Sequence, residues 1–335
     1  GAILTHKNMV SNVEQASHWI SPIFETGEQD EIIITALPLY HIFSLTANCL
    51  TFLKHGAKNI LITNPRDLPG FIKEIKNVQF TSMTGVNTLF NALLNNKKFK
   101  QVDFSKLKYT LSGGMSLQGS VAERWHKVTG TPILEAYGLT ETSPAVTMNP
   151  HYVDKFNGSI GLPVPSTEIS IRDELGNELP INESGELCVR GPQVMKGYWK
   201  RPIETLNVLD KEGWLKTGDI ARIDEKGFIY IVDRIKDMII VSGFNVYPNE
   251  IEAIISKLSA VLEVGVIGIP HKESGEKIKA CIVKKDLELT KEEIIAHCRE
   301  HLTGYKIPKI IEFVDELPKT NVGKIMRRAL RKNKV

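Results

Sequence analysis

Over the first third of the chain, short apolar runs alternate with longer amphipathic ones. EIIITALPL (31–39), NILIT (59–63), VQFTSM (78–83), YTLSGG (109–114) and TPILEAYG (131–138) are rich in β-branched or aromatic residues, bounded by turn formers, and read as strands. Between them FSLTANCLTFLKHG (43–56), DLPGFIKEIK (67–76), GVNTLFNALLNN (85–96) and VAERWHKVTG (121–130) carry helical periodicity. Asp67 is placed to cap the second of these helices, and Gly56 to stop the first. Strands separated by helices need crossover connections, so the sheet is predicted to be mostly parallel, with flanking helices. Ligands of such sheets bind beyond the carboxyl ends of the strands.

The texture changes after Pro150. From 158 to 235 short strands are punctuated by DELGNEL, NESGELCVRG, DKEGWL and DEKGFIYIV, which predicts a small antiparallel β-rich subdomain. From 236 to 335 strands and two helices, PNEIEAIISKL and LTKEEIIAHCREHL, suggest a compact α+β lobe. The expected organisation is a large α/β domain over 1–157, the β-rich subdomain over 158–235 and a C-terminal α+β lobe over 236–335.

A chain of 335 residues has room for two or three domains. Its net charge of +3 is too small to argue for nucleic acid, and the basic residues thicken only in the tail KIMRRALRKNKV. Cys49, Cys188, Cys281 and Cys298 lie far apart without metal-ligand spacing, as expected of reduced thiols in a cytoplasmic protein. The nine histidines show no metal cluster in the sequence. The apolar segment 32–53 is interrupted by Pro38, His41 and Asn48, which favours strand, turn and helix over a membrane span.

Several segments carry residues suited to chemistry. In TGDIARIDEKGFIYIVDR, Asp219 follows a Thr-Gly turn and Arg234 ends a strand; an acid and a base so arranged can grip the two hydroxyls of a ribose. EAYGLTETSP offers Tyr137 to stack on a purine, a turn at Gly138, the Thr140 hydroxyl for phosphate, and Glu141 as a hard ligand for Mg2+. Read from the residues alone, this stretch is equally a capped turn. SGGM provides Gly113 and Gly114, where backbone can approach a flat ligand or merely pack. His41 stands at a strand end in PLYHIFSL, Ser242 and Gly243 open SGFNVYPNE, and Lys324 lies in the polar loop PKTNVGK.

The order and wording of these segments resemble the adenylate-forming enzymes and, within them, the bacterial long-chain fatty-acid CoA ligases. The resemblance spans essentially the whole chain. It implies a two-step reaction in which a fatty acid and ATP form an acyl-adenylate, with Mg2+, and CoA then displaces AMP. It implies that Lys324, Thr140 and Glu141 serve catalysis, with Glu141 at the metal. Gly113, Gly114, Tyr137, Gly138, Asp219 and Arg234 would hold the nucleotide, and Ser242 and Gly243 the pantetheine of CoA. His41 would line the acyl pocket, although Leu45 stands where some long-chain relatives carry a gating tryptophan. Lys236, two after the motif arginine, would be the hinge about which the C-terminal lobe rotates between steps. Lys306, in GYKIPK, matches the resemblance without an assigned role.

GAILTHKNMVSN looks like the end of a phosphate-loop signature, so the chain is expected to be an N-terminally truncated piece with little or no adenylating activity of its own. Two alternatives stay open: a CoA ligase for an aryl or medium-chain acid, or a non-catalytic nucleotide-binding remnant. Peripheral association with the inner membrane and a homodimer are further expectations from the resemblance.

Overall fold

The structure is a computed structural model that describes residues 1–24 and 30–331. The chain divides into two compact units, the first comprising Gly1–Thr217 and Ala221–Ile231, the second Gly218–Ile220 and Val232–Val335.

The first unit is built on a seven-stranded sheet. Its strands are β1 (Ile32–Thr35), β2 (Lys58–Leu61), β3 (Ser82–Gly85), β4 (Tyr109–Ser112), β5 (Ile133–Gly138), β6 (Ala145–Met148) and β7 (Leu162–Pro163), in the order β2-β1-β3-β4-β5-β6-β7. β2 through β5 are parallel, and β6 and β7 add antiparallel. The mostly parallel α/β reading is therefore correct. The interior strands are buried along their length because helices cover the sheet, which is why they read as apolar runs without alternation. β3 begins later than VQFTSM suggested, and β1 ends earlier than EIIITALPL did.

Helices α1 (His6–Phe24), α2 (Thr51–Lys54), α3 (Leu68–Ile75), α4 (Asn87–Asn95) and α5 (Gly119–Thr129) connect these strands. Asp67 caps α3 by accepting from the amide of Gly70 at 3.0 Å, and Gly130 ends α5 at φ 77°. Trp125 on α5 is fully buried against Phe90 and Phe99.

Two departures from the sequence reading share one cause. The expected helix over 43–56 runs as a π-helix through Ser44–Leu50 before becoming α2. Its inward face is polar: Ser44 donates to the carbonyl of Leu37, Thr46 to that of Ser143, and Asn48 to the Thr35 hydroxyl, at 2.8, 2.8 and 3.0 Å. α1 carries no hydrophobic stripe strong enough to announce it, because Asn8, Asn12 and Gln15 are among its buried residues. They donate to the carbonyls of Val194, Ala145 and Pro165. Buried amides that satisfy backbone carbonyls fix a helix as firmly as apolar contacts do, but hide it from a hydrophobic pattern.

A second sheet, β8 (Glu168–Arg172), β9 (Gly185–Arg190), β10 (Leu215–Ile223) and β11 (Ile229–Arg234), has the order β11-β10-β9-β8, and a short helix α6 (Pro202–Val208) precedes β10. GSIGLPV, which read as the start of this β-rich region, instead gives β7 to the large sheet.

In the second unit β12 (Ile239–Val241), β13 (Phe244–Val246), β14 (Val261–His271), β15 (Gly275–Lys284) and β16 (Ile310–Phe313) form a five-stranded sheet. Helices α7 (Pro248–Ile255) and α8 (Lys291–His301) accompany it, and the short α9 (Arg327–Leu330) ends the described chain. Ile251, Ile255, Val266, Ile282, Ile294 and Cys298 belong to its core. Thr290 and Glu293 cap α8 reciprocally, each side chain accepting the other residue's amide, at 3.2 and 2.8 Å. Cys188, Cys281 and Cys298 are buried unpaired thiols, each pushed up to about 11 by burial. Among the described residues no helix is long and apolar enough to cross a membrane, and segment 32–53 is strand, turn and helix as expected.

Candidate active site

In the first unit three of the singled-out segments lie at the carboxyl ends of β1, β4 and β5. Gly113 follows β4 and is buried; a Cβ there would lie 3.1 Å from the Phe43 ring and 3.3 Å from the Ala136 carbonyl. One glycine thus brings the HIF, SGG and EAY segments together. Gly114 is exposed at φ 80°, a conformation that favours glycine. His41 is half-buried; its Nδ1 accepts from the amide of Phe43 at 3.3 Å, so a neutral ring carries its proton on Nε2.

The YGLTE segment forms a tight turn. A Cβ on Gly138 would fall 2.0 Å from the carbonyl oxygen of Pro144, so only glycine fits. The Thr142 hydroxyl accepts from the amide of Leu139 at 3.0 Å and closes the turn. That leaves Thr140 exposed at the tip and Tyr137 half-buried. Glu141 is held at two points: its carbonyl accepts from Met195 N and its Oε1 from the Tyr198 hydroxyl, both at 2.8 Å. Tyr198 escaped the sequence reading. It lies far along the chain in MKGYW, and nothing in its spacing pairs it with Glu141. The carboxylate and exposed hydroxyl make an all-oxygen donor set, which suits Mg2+ completed by phosphate oxygens and water.

Glu135, two residues before Tyr137, is buried and accepts from the amide of Leu117 at 3.2 Å. Burial pushes its carboxyl up to about 8 from an ordinary 4.5, so it holds its proton at neutral pH. The stabilisation is full below the unfolded value and is lost as pH rises through the folded one, at about 1.4 kcal/mol per pH unit between them. Glu135→Gln, neutral at every pH, should remove that loss. All four tryptophans lie in the first unit, so urea titrations followed by their fluorescence from pH 5 to about 8.5 report on it directly. Parallel pH slopes for the two proteins would show that Glu135 is ionised.

In the second unit Asp219 and Arg234 are brought together: Nε of the arginine lies 3.0 Å from Oδ1 of the aspartate. The Asp219 side chain is 3% exposed and that of Arg234 46%, so the pair presents the guanidinium outward. Lys324 joins them. Burial lowers its pKa, Arg234 adds to that effect and Asp219 opposes it. Its loop is a closed turn in which Thr320 N donates to the Lys324 carbonyl at 2.8 Å and Lys324 N to the Thr320 hydroxyl at 3.1 Å. Gly323 makes the turn at φ 82°.

SGFN is more specific than the sequence suggested. Ser242 and Gly243, at φ 51° and 84°, are the two corner residues of a hairpin joining β12 to β13. Two successive positive φ values match the strand twist. The tip is exposed, and beyond it Phe244 stacks on Tyr305 at 4.8 Å. Lys306, which had no assigned role, bonds both carboxylate oxygens of Glu250 on α7 at 2.8 Å. Lys236 is exposed in the 3₁₀ turn Ile235–Asp237.

A buried ionic cluster beside Lys236 was not foreseen. Arg327 donates to both oxygens of Glu252, at 3.2 and 2.9 Å, and to Oδ1 of Asn249 at 2.6 Å. It also lies 3.4 Å from Asp237 and 3.6 Å from Asp233. The fully buried Asp233 accepts from the amides of Arg234 and Asn249 at 2.8 and 2.9 Å. Burial raises the pKa of Asp233 and of Glu252, and Arg327 opposes both shifts. Burial would lower Arg327, yet Glu252 and Asp233 hold it above its ordinary value.

The chain is similar to known proteins over its whole length. The chain is 58% identical to the long-chain-fatty-acid–CoA ligase of Yersinia pestis over 335 residues, all of this chain and 59% of that protein. It is 41% identical to the ligase of that name from Bacillus subtilis, over 98% of the chain and 58% of the relative. The chain thus spans about 59% of the length of such curated relatives. Among solved structures, ATP-bound MatB from Rhodopseudomonas palustris superposes with a TM-score of 0.87 at 32% identity, covering 99% of this chain and 65% of that one. The o-succinylbenzoate CoA synthetase of Bacillus subtilis, in complex with its acyl-adenylate intermediate, gives 0.83 at 29%, covering 100% and 66%. The family described as AMP-binding enzyme matches residues 1–199, and its C-terminal domain matches 250–324. With well over half of its length so matched, the chain belongs to the AMP-binding enzyme family.

Proposed function

We propose that the intact protein activates a long-chain fatty acid with ATP and transfers it to CoA. The observation that carries this reading is the grouping of Lys324 with Asp219 and Arg234 in the second unit, a cation beside a ribose-binding acid and base. In the first step a carboxylate oxygen attacks the α-phosphorus and pyrophosphate leaves. Two anions must meet, and negative charge grows on the phosphorus oxygens; a compact ammonium answers both needs. Lys324 supplies it, and the incoming anions favour its charged form against the lowering imposed by burial and Arg234. Tyr137 stacks on the adenine beside Gly113 and Gly114, and Thr140 takes a phosphate oxygen. Glu141, steadied by Tyr198, is the ligand for Mg2+, which when bound neutralises phosphate charge. In the second step the CoA sulfur attacks the acyl carbonyl and AMP leaves; the Ser242–Gly243 hairpin offers bare backbone to the pantetheine, while His41 borders the acyl group.

Long-chain acids are favoured because relatives named for them reach 58–59% identity. A feruloyl-CoA synthase from Amycolatopsis is 36% identical, which supports an aryl acid as the second reading. Trapping acyl-adenylate with hydroxylamine across a panel of acids separates the two. Palmitate-class acids should react in preference to ferulate, and the opposite order would overturn the long-chain reading.

Asp219→Ala should weaken binding of AMP by the intact protein about tenfold or more, the cost of roughly 1.5–3 kcal/mol in charge-assisted hydrogen bonds. Calorimetry giving unchanged affinity would remove Asp219 from the nucleotide site.

A further inference from the structure

On α8 the structure brings together side chains that the sequence reading treated as unrelated. His297, Glu300 and His301 fall at i, i+3 and i+4, one face of the helix, and one donor atom from each lies within 4.8 Å of the others. The two imidazole rings are 4.5 Å apart, centroid to centroid. The histidines showed no metal cluster along the sequence, yet helical spacing gathers two of them with Glu300 on one face.

Each ring has one nitrogen within hydrogen-bond distance of a backbone carbonyl. His297 Nε2 lies 3.1 Å from the carbonyl oxygen of Ile254 on α7, and His301 Nδ1 lies 2.9 Å from the carbonyl oxygen of His297. A carbonyl can only accept, so each of these nitrogens carries the proton. In the neutral rings a metal binds, the lone pairs are then on Nδ1 of His297 and Nε2 of His301. A backbone carbonyl holding the far N–H is the usual outer support of a metal-bound histidine: it orients the ring and raises its basicity. His297 is half-buried and so anchored, while Glu300 and His301 are exposed and can adjust. Tetrahedral bonds of about 2.0–2.2 Å set donors roughly 3.3–3.6 Å apart, a closure of at most about 1.5 Å from the present spacing, within reach of side-chain rotation.

We propose that His297, Glu300 and His301 form a binding site for a divalent transition ion of the zinc class, on the outer face of the C-terminal unit. Two imidazoles and one carboxylate suit Zn2+, Ni2+ or Cu2+, whereas Mg2+ prefers oxygen ligands alone. The site leaves coordination positions to water.

The test is titration calorimetry of the 335-residue chain with Zn2+, repeated on His301→Gln and Glu300→Gln, both exposed positions where folding is not at stake. One ion per chain should bind saturably. His301→Gln should weaken it at least about tenfold, and Glu300→Gln should weaken it to a lesser extent. His151→Gln, away from α8, should leave it unchanged, and Mg2+ should give no heat that His301→Gln removes. Absence of saturable zinc binding, or equal affinity in the wild type and His301→Gln, would overturn the site.

Discussion

Lys324→Ala should abolish acyl-adenylate formation by the intact protein while preformed acyl-adenylate still reacts with CoA. The asymmetry follows from where charge develops. The first step joins two anions and loads the phosphorus oxygens; the second, thiol attack on an activated carbonyl, needs no cation at phosphorus. Removing one preorganised electrostatic group from such a centre costs about 10²–10³ in rate, and more where no water or neighbouring cation replaces it. Arg234 does not substitute, since it is already paired with Asp219. Lys324→Arg should not rescue, because a planar guanidinium cannot enter the space of a compact ammonium between two reactants. Pyrophosphate release measures the first step, and CoA-dependent consumption of synthetic acyl-adenylate the second. Equal losses in both would mean that Lys324 supports the fold or the nucleotide rather than the first chemical step.

The parts of this architecture that were legible in the sequence are those governed by local rules. Parallel strands announce themselves as apolar runs, Asp67 and Gly56 as helix-end signals, and the Thr-Gly-Asp, Tyr-Gly-Leu-Thr-Glu and Val-Gly-Lys segments as turns with polar side chains. What escaped depends on pairings made only by folding. α1 was invisible because Asn8, Asn12 and Gln15 face inward and satisfy carbonyls more than 130 residues away. Tyr198 meets Glu141 from another segment of the unit, and Lys306 meets Glu250 across a separation of 56 residues. The SGFN hairpin was hidden because one of its two positive φ values falls on Ser242, a residue type that does not advertise that conformation. His297 and His301 were counted along the chain rather than around a helix.

Asp233→Asn should shift the balance between the two half-reactions, slowing adenylation relative to thioester formation. The reason lies in which side of Lys236 each partner stands. Glu252, Asn249 and Asp237 all follow Lys236, as Arg327 does, so a rotation about that residue, which we propose, would carry them together. Asp233 precedes it. The contacts of Asp233 with Arg327 and with the amide of Asn249 are therefore the members of the cluster that the proposed rotation would break. We propose that these contacts act as a latch for the arrangement in which Lys324 feels both Asp219 and Arg234. Charge-assisted hydrogen bonds to a buried carboxylate contribute about 1.5–3 kcal/mol, so weakening them should change the ratio of the two orientations by about tenfold or more. Asparagine keeps the size and one acceptor oxygen of the aspartate but not its charge, and Arg327 retains Glu252 and Asp237, so the core of the unit stays filled and paired. Arg327→Met would be a poorer probe, since it takes the cation from the buried Asp233 and Glu252 and costs about 3–5 kcal/mol of stability. The decisive quantity is the ratio of the two half-reaction rates in Asp233→Asn, with urea midpoints taken to show that folding is retained. A lower rate of adenylation beside an unchanged or higher rate of CoA transfer is the expected result. A uniform fall in both would show that Asp233 maintains the lobe without governing its orientation.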